Sequence, residues 1–196
     1  MSALPLILGS TSAARRELLN RLQIPYQIDA PAIDETRHAN ESAYAMVARL
    51  SLQKAQAVAA RHPQSLIIGS DQCAVLGESV IGKPHTHENA MQQLRHASGN
   101  TLRFLTGLCL YNSQAQSYQL DVVPFDVTFR SLTDAEIDCY LRIEQPYSCA
   151  GSFKSEGLGI SLFAAMQGDD PTALMGLPLI RLNSMLRTAG IDVLQR

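Results

Sequence analysis

The opening stretch of the chain constrains its fold most strongly. "LPLILG" (residues 4–9) is a short apolar run that ends at a glycine, and "TSAARRELLNRLQIP" follows with leucines on one helical face and a proline stop. A buried strand that passes through a tight polar loop into an amphipathic helix is typical of α/β folds. No basic region precedes the apolar run, so we expect a first buried strand and not a signal peptide.

Strands and helices go on alternating along the chain. Apolar periodicity predicts helices over about 41–61, from Thr86 to about 97, over about ten residues from the capping box at 133–136, and over about 176–188. Strand patterns occur in "YQIDA", in "QSLIIGSDQCAVL", which is expected to break at Gly69 and continue, and in its return arm "GESVIGKP". "TLRFLTGLCLYNS" and "QSYQLDVVPFDVTFR" are expected to form a hairpin of long strands. These patterns predict an α/β fold around a mixed sheet.

Composition limits the functions open to such a fold. The 196 residues are 46% hydrophobic, and this length and apolar content predict one core and a single bilobed domain over 1–196. The net charge is -2. A near-neutral chain lacks the broad basic surface that nucleic acid or an anionic membrane requires, and no apolar run approaches the roughly 20 residues that span a bilayer. Four cysteines without zinc-like or C-x-x-C spacing indicate reduced thiols and a cytoplasmic protein.

The loop after the first strand is one candidate site. "GSTSAARR" (9–16) gathers backbone N–H groups, hydroxyls and the positive end of a helix, which together suit an anion. Arg15 lies in the first helical turn and can point back over that site. The alternative is that Ser12 only caps the helix and that Arg15 is a solvated surface residue.

Two acidic residues form a second candidate site. Asp71 stands in "IIGSDQ", where an apolar strand turns polar, and a carboxylate at a strand end can hold a metal ion or position a water. The alternative is that Asp71 caps a turn. Glu35, in the loop "DET", could share a divalent ion with Asp71, because Mg²⁺ takes one or two carboxylates together with phosphate oxygens and waters. Otherwise Glu35 is a solvated loop carboxylate.

Lysine is used sparingly in this chain. Only three of the 16 basic residues are lysines: Lys54 on the long helix, Lys83 in "GKP" and Lys154 in "SFKSEG". An ammonium group is a compact charge that contacts several phosphate oxygens without a planar partner, so this placement suggests a phosphate ligand, although chance placement stays open. His85 and His87 in "PHTHEN" lack a third metal ligand at a recognisable spacing, and we expect both to be exposed to solvent.

Eight short motifs link the chain to a known family. They are "LILGSTSAARRELL", "IDE", "LQKA", "IIGSDQ", "GKP", "FDVTFR", "AGSFKSEGLG" and "GLPL", and they span residues 6 to about 182. In this order they resemble the Maf family of nucleoside triphosphate pyrophosphatases. The resemblance implies a fold similar to the inosine triphosphate pyrophosphatases, α/β with flanking helices and a mixed sheet split by a central cleft, and a homodimer. It also implies hydrolysis between the α and β phosphates with a divalent metal, Mg²⁺ or Mn²⁺.

The resemblance assigns roles to particular positions. It makes Asp71 the proton acceptor. The positions that determine which base the family accepts correspond to Ala14, Gln72 and Glu156. Positions that line the substrate cleft correspond to Ser10, Ser12, Arg15, Glu35, Lys54 and Lys83. Lys154 is expected to help hold the phosphates or its own loop, and Asp71 with Glu35 would hold the metal.

The resemblance extends to one branch of the family. "SDQ" with "FKSEG" resembles the branch that acts on 7-methyl-GTP, whereas the dTTP/UTP branch usually has Thr after the aspartate and Gln in place of the glutamate. A carboxylate such as Glu156 suits a cationic 7-methylguanine, since it accepts hydrogen bonds from N1 and N2 and opposes the charge. The branch often has Trp at the position of Ala14, but this chain has no tryptophan, which leaves Phe153 or Tyr147 to stack on the base. Alternatives are a pyrophosphatase of the dTTP/UTP type and a nucleotide-binding regulator of septum formation.

Overall fold

The computed structural model describes residues 4–195. Its helices are α1 (Ala13–Asn20), α2 (Ala43–Ala59), α3 (His87–Ala97), α4 (Asp134–Glu144) and α5 (Leu179–Thr188). Its strands are β1 (Leu6–Leu8), β2 (Gln27–Ile28), β3 (Leu66–Leu76), β4 (Ser79–Ile81), β5 (Thr101–Asn112), β6 (Ser117–Phe129) and β7 (Phe163–Gln167). Short 3₁₀ segments cover Ala150–Ser152, Leu158–Leu162 and Pro171–Met175. Within residues 4–195, no helix combines the length and the hydropathy needed to cross a bilayer.

The strands form a mixed sheet, and the predicted α/β class is confirmed. Hydrogen-bonded neighbours follow the order β2-β1-β3-β5-β6-β7, and β4 pairs with β3. β1 runs parallel to β2 and β3, whereas the β3–β4 and β6–β7 pairs are antiparallel.

The chain divides into two compact units. The first comprises the described residues of 1–72, 106–123 and 170–196, and the second comprises 73–105 and 124–169. A single domain over 1–196 stays a prediction.

Helices cover both faces of the strands in the first unit. Residues of even number in β1, β3 and β5 pack with α1 and α5, and residues of odd number pack against α2. This alternation arises because successive side chains of a strand point to opposite faces. Ile67 and Ile68 are both fully buried, one on each face. Further along β3, Ser70, Asp71 and Gln72 therefore alternate between the same two faces.

Two glycines bring α2 close to the strands. A Cβ atom at Gly69 would lie 2.2 Å from the carbonyl oxygen of Ser51, and one at Gly107 would lie 2.3 Å from the carbonyl oxygen of Val47. No side chain fits in that space, so α2 rests directly on β3 and β5. β3 continues through Gly69, and the predicted break there is wrong because the glycine serves this close approach instead. Because Lys54 follows Ser51 by three residues on α2, this close contact also fixes how far Lys54 lies from the strands.

An aromatic cluster forms part of the core of the second unit. The ring of Phe153 packs edge-on against Phe163, Phe104 and Phe129, with centroid distances of 4.9, 5.4 and 5.5 Å. Edge-to-face contacts of this kind suit the quadrupoles of aromatic rings. Phe153 is 5% exposed. It is a core residue in this structure, so the expectation that its ring is available to stack on a base is wrong.

Strand β7 is an element that the sequence patterns did not predict. Its sequence, "FAAMQ", contains two alanines and no β-branched residue, and it lies within a stretch that reads as a glycine-rich loop. It forms because β6 offers an edge, with Val127 paired to Met166 and a bulge near Phe129. By contrast, α4 begins at the predicted capping box of Thr133 and Glu136.

Candidate active site

A buried ion pair between Lys54 and Asp71 lies at the centre of the candidate site, in the first unit. Nζ of Lys54 donates a 2.7 Å hydrogen bond to Oδ1 of Asp71 and lies 3.0 Å from Oε1 of Glu35. The side chains of Lys54 and Asp71 are 7% and 11% exposed, whereas that of Glu35 is 55% exposed. Asp71 lies within β3 and not at its end, so both the strand-end expectation and the turn-cap alternative are wrong. The strand and one ammonium group thus hold this carboxylate in place.

The loop that carries Glu35 is anchored to α2. Oδ1 of Asp34 accepts hydrogen bonds from the backbone N–H and the hydroxyl of Thr36, which forms a tight turn around Glu35. Arg49 on α2 donates to the carbonyl oxygen of Thr36 at 3.2 Å and to Glu41 at 2.6 Å. The hydrogen bond from Arg49 lowers the pKa of Glu41 from its usual 4.5 to about 2. Glu35 therefore combines an exposed side chain with an anchored backbone.

The loop after β1 joins Ser10, Ser12 and Arg15. Oγ of Ser12 accepts the N–H of Arg15 at 3.4 Å and caps α1, as one alternative held. Ser10 is buried, and its Oγ accepts hydrogen bonds from the N–H of Ser12 and from Nη1 of Arg15. Nε of Arg15 donates to the carbonyl oxygen of Gly176 at 2.8 Å. Arg15 is thus half-buried and oriented by protein groups, so the view of it as a solvated surface residue is wrong. Ala14, beside it in α1, is half-buried.

The neighbours of Asp71 in β3 make their contacts on the other face of the strand. Oγ of Ser70 donates to the carbonyl oxygen of Gly176 at 2.9 Å. Nε2 of Gln72 donates to the carbonyl oxygen of Ala173 at 2.7 Å. β3 is therefore held on one face by the ion pair with α2 and on the other face by the backbone of residues 173–176.

The charges of the site balance one another. Burial lowers the pKa of the Arg15 guanidinium, and the negative charges of Asp71 and Glu35 oppose that shift. Arginine stays cationic at neutral pH in spite of such shifts. Arg15 and Lys54 thus offset the two carboxylates, so a triphosphate would add negative charge that these four groups do not neutralise.

The donor atoms suit a hard divalent cation if a ligand completes the shell. Carboxylate oxygens are the ligands that Mg²⁺ and Mn²⁺ prefer, and the Lys54 hydrogen bond occupies only one oxygen of Asp71. Within the described part of the chain, no group of three or more His, Cys, Asp or Glu side chains is arranged to hold a metal. A cation at Asp71 and Glu35 would therefore need phosphate oxygens and waters as its other ligands.

Lys83 and Glu156, which the resemblance assigns, lie in the second unit together with Lys154. Nζ of Lys154 donates to the carbonyl oxygen of Glu144 at 3.1 Å and lies 3.2 Å from its carboxylate. Oε2 of Glu144 also accepts the N–H of Leu158 at 2.8 Å, so the segment from Lys154 wraps around the end of α4. Lys83 and Glu156 are exposed. Their roles, and a phosphate contact for Lys154, stay predictions.

The histidines of "PHTHEN" differ from each other. His85 is exposed, as expected. His87 is half-buried, with Nε2 2.9 Å from Oδ1 of Asp138 and Nδ1 3.0 Å from the hydroxyl of Tyr147. The expectation of exposure is wrong for His87, because α4 and the segment after it pack over its ring.

Sequence reasoning missed the backbone support of the site. Five residues provide this support but were not identified from the sequence: Ser70, Gly107, Asp170, Thr172 and Gly176. Two signals were present in the sequence. "GLPL" was one of the ordered motifs but carried no assigned role, and the Asp-Pro-Thr of "GDDPT" is a capping pattern in which side-chain oxygens bind nearby N–H groups.

The chain was compared with protein families, curated proteins and solved structures. It matches the family described as Maf-like protein over residues 5–189. The 7-methyl-GTP pyrophosphatase of Pseudomonas fluorescens (strain Pf0-1) is 57% identical over 97% of this chain and 99% of its own length. The proteins of that name from Nitrosococcus oceani and Pseudomonas aeruginosa are 57% and 54% identical, each over 96% of this chain and over 95% and 98% of their own lengths. The Ham1 protein of Staphylococcus aureus has a TM-score of 0.45 at 12% identity, over 64% of this chain and 71% of that one.

The family match covers most of the chain, and the relatives keep more than half of its residues over nearly their full lengths. The site residues come from the motifs that first suggested the same family. The chain belongs to the family of Maf-like proteins.

Proposed function

We propose that the protein is a nucleoside triphosphate pyrophosphatase that converts 7-methyl-GTP into 7-methyl-GMP and diphosphate. Relatives that carry this name cover nearly the whole chain at 52–58% identity. The structural observation that carries the chemistry is the buried carboxylate of Asp71 on β3, which accepts a hydrogen bond from Lys54 on α2 and is close enough to Arg15 to affect the pKa of its guanidinium. This arrangement supports Asp71 as the proton acceptor and Arg15 and Lys54 as groups that contact the phosphates.

Binding of the triphosphate starts at the loop after β1. The first N–H groups of α1 have no partner within the helix, and the helix dipole adds positive potential there. Arg15 contributes a guanidinium whose Nε donates to Gly176 and whose Nη1 donates to Ser10, which leaves Nη2 and the second hydrogen of Nη1 to contact phosphate oxygens. Ser10 and Ser12 shape this turn, and Lys54 adds a second positive charge.

Asp71 acts on the attacking water in this mechanism. The water oxygen forms a bond to the α phosphorus while the bond from that phosphorus to the bridging oxygen breaks, and diphosphate leaves with the bonding electrons. Asp71 accepts the proton that the water loses. Lys54 keeps the carboxylate oriented by its hydrogen bond to Oδ1, and Oδ2 is free of that bond to face the water.

We also propose a divalent cation, Mg²⁺ or Mn²⁺, held by Asp71 and Glu35 together with the substrate. When bound, such an ion supplies Lewis-acid polarisation of phosphate oxygens and neutralises charge on the leaving group. The exposed side chain of Glu35 can turn towards an ion, because its anchored loop leaves the carboxylate in solvent.

Base selection is proposed for Ala14, Gln72 and Glu156, on the basis of the family resemblance. Glu156 is an exposed carboxylate, which suits the hydrogen-bond donors and the positive charge of 7-methylguanine. Gln72 is tied to the backbone of Ala173, so its amide orientation is fixed before any base arrives. The small side chain of Ala14 on α1 would leave space for a base. Lys83 and Lys154 are proposed to assist with the phosphates.

The test is an assay of diphosphate release over a panel of triphosphates, with Mg²⁺ or Mn²⁺ present. We expect 7-methyl-GTP to be hydrolysed with the highest kcat/KM and to give 7-methyl-GMP. Faster hydrolysis of dTTP and UTP would assign the protein to the other branch. Tight nucleotide binding without release of diphosphate would overturn the enzymatic proposal and favour a regulator of cell division.

Two further properties are proposed with the activity. We propose a cytoplasmic location, because the four cysteines lack the C-x-x-C or zinc-like spacing of a disulfide or metal framework and thiols stay reduced in that compartment. A homodimer is proposed from the family resemblance, and light scattering on the purified protein measures it directly. A mass near 21.4 kDa at micromolar concentration would contradict the dimer.

A further inference from the structure

Asp170 is a buried carboxylate that the proposed mechanism does not use. It is 2% exposed, and among residues 4–195 no cationic side chain forms a hydrogen bond or ion pair with either of its oxygens. Oδ1 accepts the N–H of Thr172 at 3.0 Å and its hydroxyl at 2.6 Å. Oδ2 accepts the N–H of Ile180 at 2.7 Å. A buried carboxylate needs such donors, because an unsatisfied one would be costly.

Together with Thr172, Asp170 closes a loop onto the start of α5. Oγ1 of Thr172 accepts the N–H of Leu179 at 2.8 Å, next to the N–H of Ile180 that Asp170 accepts. These are N–H groups of the first turn of α5, which have no partner within the helix. A negative charge at this end also matches the helix dipole. The loop between the two ends, residues 171–178, is thereby held in one conformation.

The closed loop presents carbonyl oxygens to the active site. Gly176 accepts hydrogen bonds from Nε of Arg15 at 2.8 Å and from Oγ of Ser70 at 2.9 Å. Its φ of 98° lies in the left-handed region that favours glycine, and a Cβ there would be 3.4 Å from Nε of Arg15. Ala173 accepts Nε2 of Gln72 at 2.7 Å.

We propose that Asp170 is a positioning residue that sets the orientation of the Arg15 guanidinium through the carbonyl oxygen of Gly176. Asp170 does not touch the phosphates; it fixes the loop whose backbone fixes Arg15. The same loop supports Ser70 and Gln72, the neighbours of Asp71. This inference rests on the proposed function, because it takes Arg15 as a phosphate ligand.

Two pairs of variants test this inference. Asp170→Asn keeps the size of the side chain and removes an acceptor. Thr172→Val keeps the shape of the side chain and removes the hydroxyl, whereas Thr172→Ser keeps the hydroxyl and serves as the matched control. The readouts are kcat/KM for 7-methyl-GTP, the Kd of inorganic tripolyphosphate by calorimetry, and Tm.

We expect Asp170→Asn and Thr172→Val to lower kcat/KM and to weaken tripolyphosphate binding by about tenfold or more, since misplaced binding groups cost up to about 10²-fold. Thr172→Ser should stay within about twofold of wild type, because its oxygen makes the same contacts. In an Arg15→Ala background, Asp170→Asn should change tripolyphosphate binding by less than about twofold, because residues that act through one another are not additive.

Several results would overturn the inference. One is a folded Thr172→Val or Asp170→Asn protein that binds tripolyphosphate as wild type does. Another is a full loss from Asp170→Asn in the Arg15→Ala background, which would indicate a general effect on stability. A wild-type protein that binds tripolyphosphate but releases no diphosphate would refute the proposed function, while the binding data would still decide the role of Asp170. Absence of tripolyphosphate binding by wild type would overturn the role of Asp170, which takes Arg15 as a phosphate ligand, whereas diphosphate release would still decide the proposed function.

Discussion

Nζ of Lys54 lies 2.7 Å from Oδ1 of Asp71, although the two residues come from a helix and a strand 17 positions apart. The contact depends on Gly69, which allows α2 to rest on β3. A glycine two residues before the carboxylate thus determines how its cationic partner reaches it.

Replacing Asp71 by Asn should remove hydrolysis and keep the fold. The amide has nearly the same size but cannot accept a proton from water, so we expect kcat for 7-methyl-GTP to fall by about 10²- to 10⁴-fold. Asp134→Asn is the control, because Asp134 lies at the start of α4, is exposed and forms an ion pair with Arg95 of α3. Diphosphate release measures the effect, and near wild-type rates in Asp71→Asn would refute the role of Asp71.

Removing the ammonium of Lys54 should destabilise the protein. Lys54→Met leaves the Asp71 carboxylate buried without its donor, and breaking a buried ion pair costs about 3–5 kcal/mol. Urea unfolding measures the change in the free energy of unfolding. The double variant Lys54→Met/Asp71→Leu should recover part of the loss, because it removes the unpaired charge as well. A double variant less stable than Lys54→Met would show that the charge is not the cause.

The close approach of α2 predicts a sharp contrast between two glycines. In Gly69→Ala the new methyl group would meet the backbone of Ser51, so we expect a loss of about 1–3 kcal/mol or more in the free energy of unfolding. Gly82→Ala is the matched control, since a Cβ at Gly82 meets nothing within 4 Å. Equal unfolding curves for the two variants would contradict the contact described for α2.

Acid should weaken the anchor of the Glu35 loop. The pKa of Glu41 is lowered to about 2 by its hydrogen bond from Arg49, so its contribution to stability is present above its usual 4.5 and is lost as pH falls towards 2. Glu41→Gln should therefore flatten the dependence of unfolding free energy on pH between about 5 and 3. Glu17→Gln, the same substitution at an exposed position on α1, is the matched control. Identical slopes for wild type and Glu41→Gln would argue against this anchor.

The prediction for Glu156 concerns selectivity. Glu156→Gln removes the negative charge opposite a cationic base, so the ratio of kcat/KM for 7-methyl-GTP over dTTP should fall, by about tenfold for the loss of a charged hydrogen bond. Kinetics on both substrates give the ratio. The comparison variant is Glu144→Gln, which removes a partner of Lys154 and should lower both values together. An equal loss on both substrates in Glu156→Gln would mark that residue as catalytic or structural instead of selective.

Much of this site could be predicted from sequence, because its residues stand in motifs with local physical meaning. "GSTSAARR" indicated a loop and helix start that gathers N–H groups, and "IIGSDQ" indicated a carboxylate after a buried apolar run, although it was expected at the strand end and not within the strand. The pairing of Lys54 with Asp71 could not be predicted, since it depends on how α2 packs. The break expected at Gly69 was wrong for the same reason: a glycine needed for packing resembles a glycine that ends a strand.

Other errors came from burial that local sequence does not report. Phe153 lies next to a lysine in a polar motif, yet it packs among other phenylalanines, because the aromatic residues brought to it by β5, β6 and β7 are distant in sequence. β7 itself has weak strand propensity and forms by pairing with β6. In both cases long-range contacts outweighed the local pattern.

The alternation of side chains at Ser70, Asp71 and Gln72 limits how this enzyme family can vary. Inserting or deleting one residue in the preceding half of β3 would turn the acid towards the 170–176 loop and present a neutral side chain to Lys54. Substitutions at position 72 preserve that register and leave the acid in place. If residue 72 helps to select the base, as proposed, substrate preference can diverge by point changes here, whereas length changes in this strand are expected to abolish catalysis.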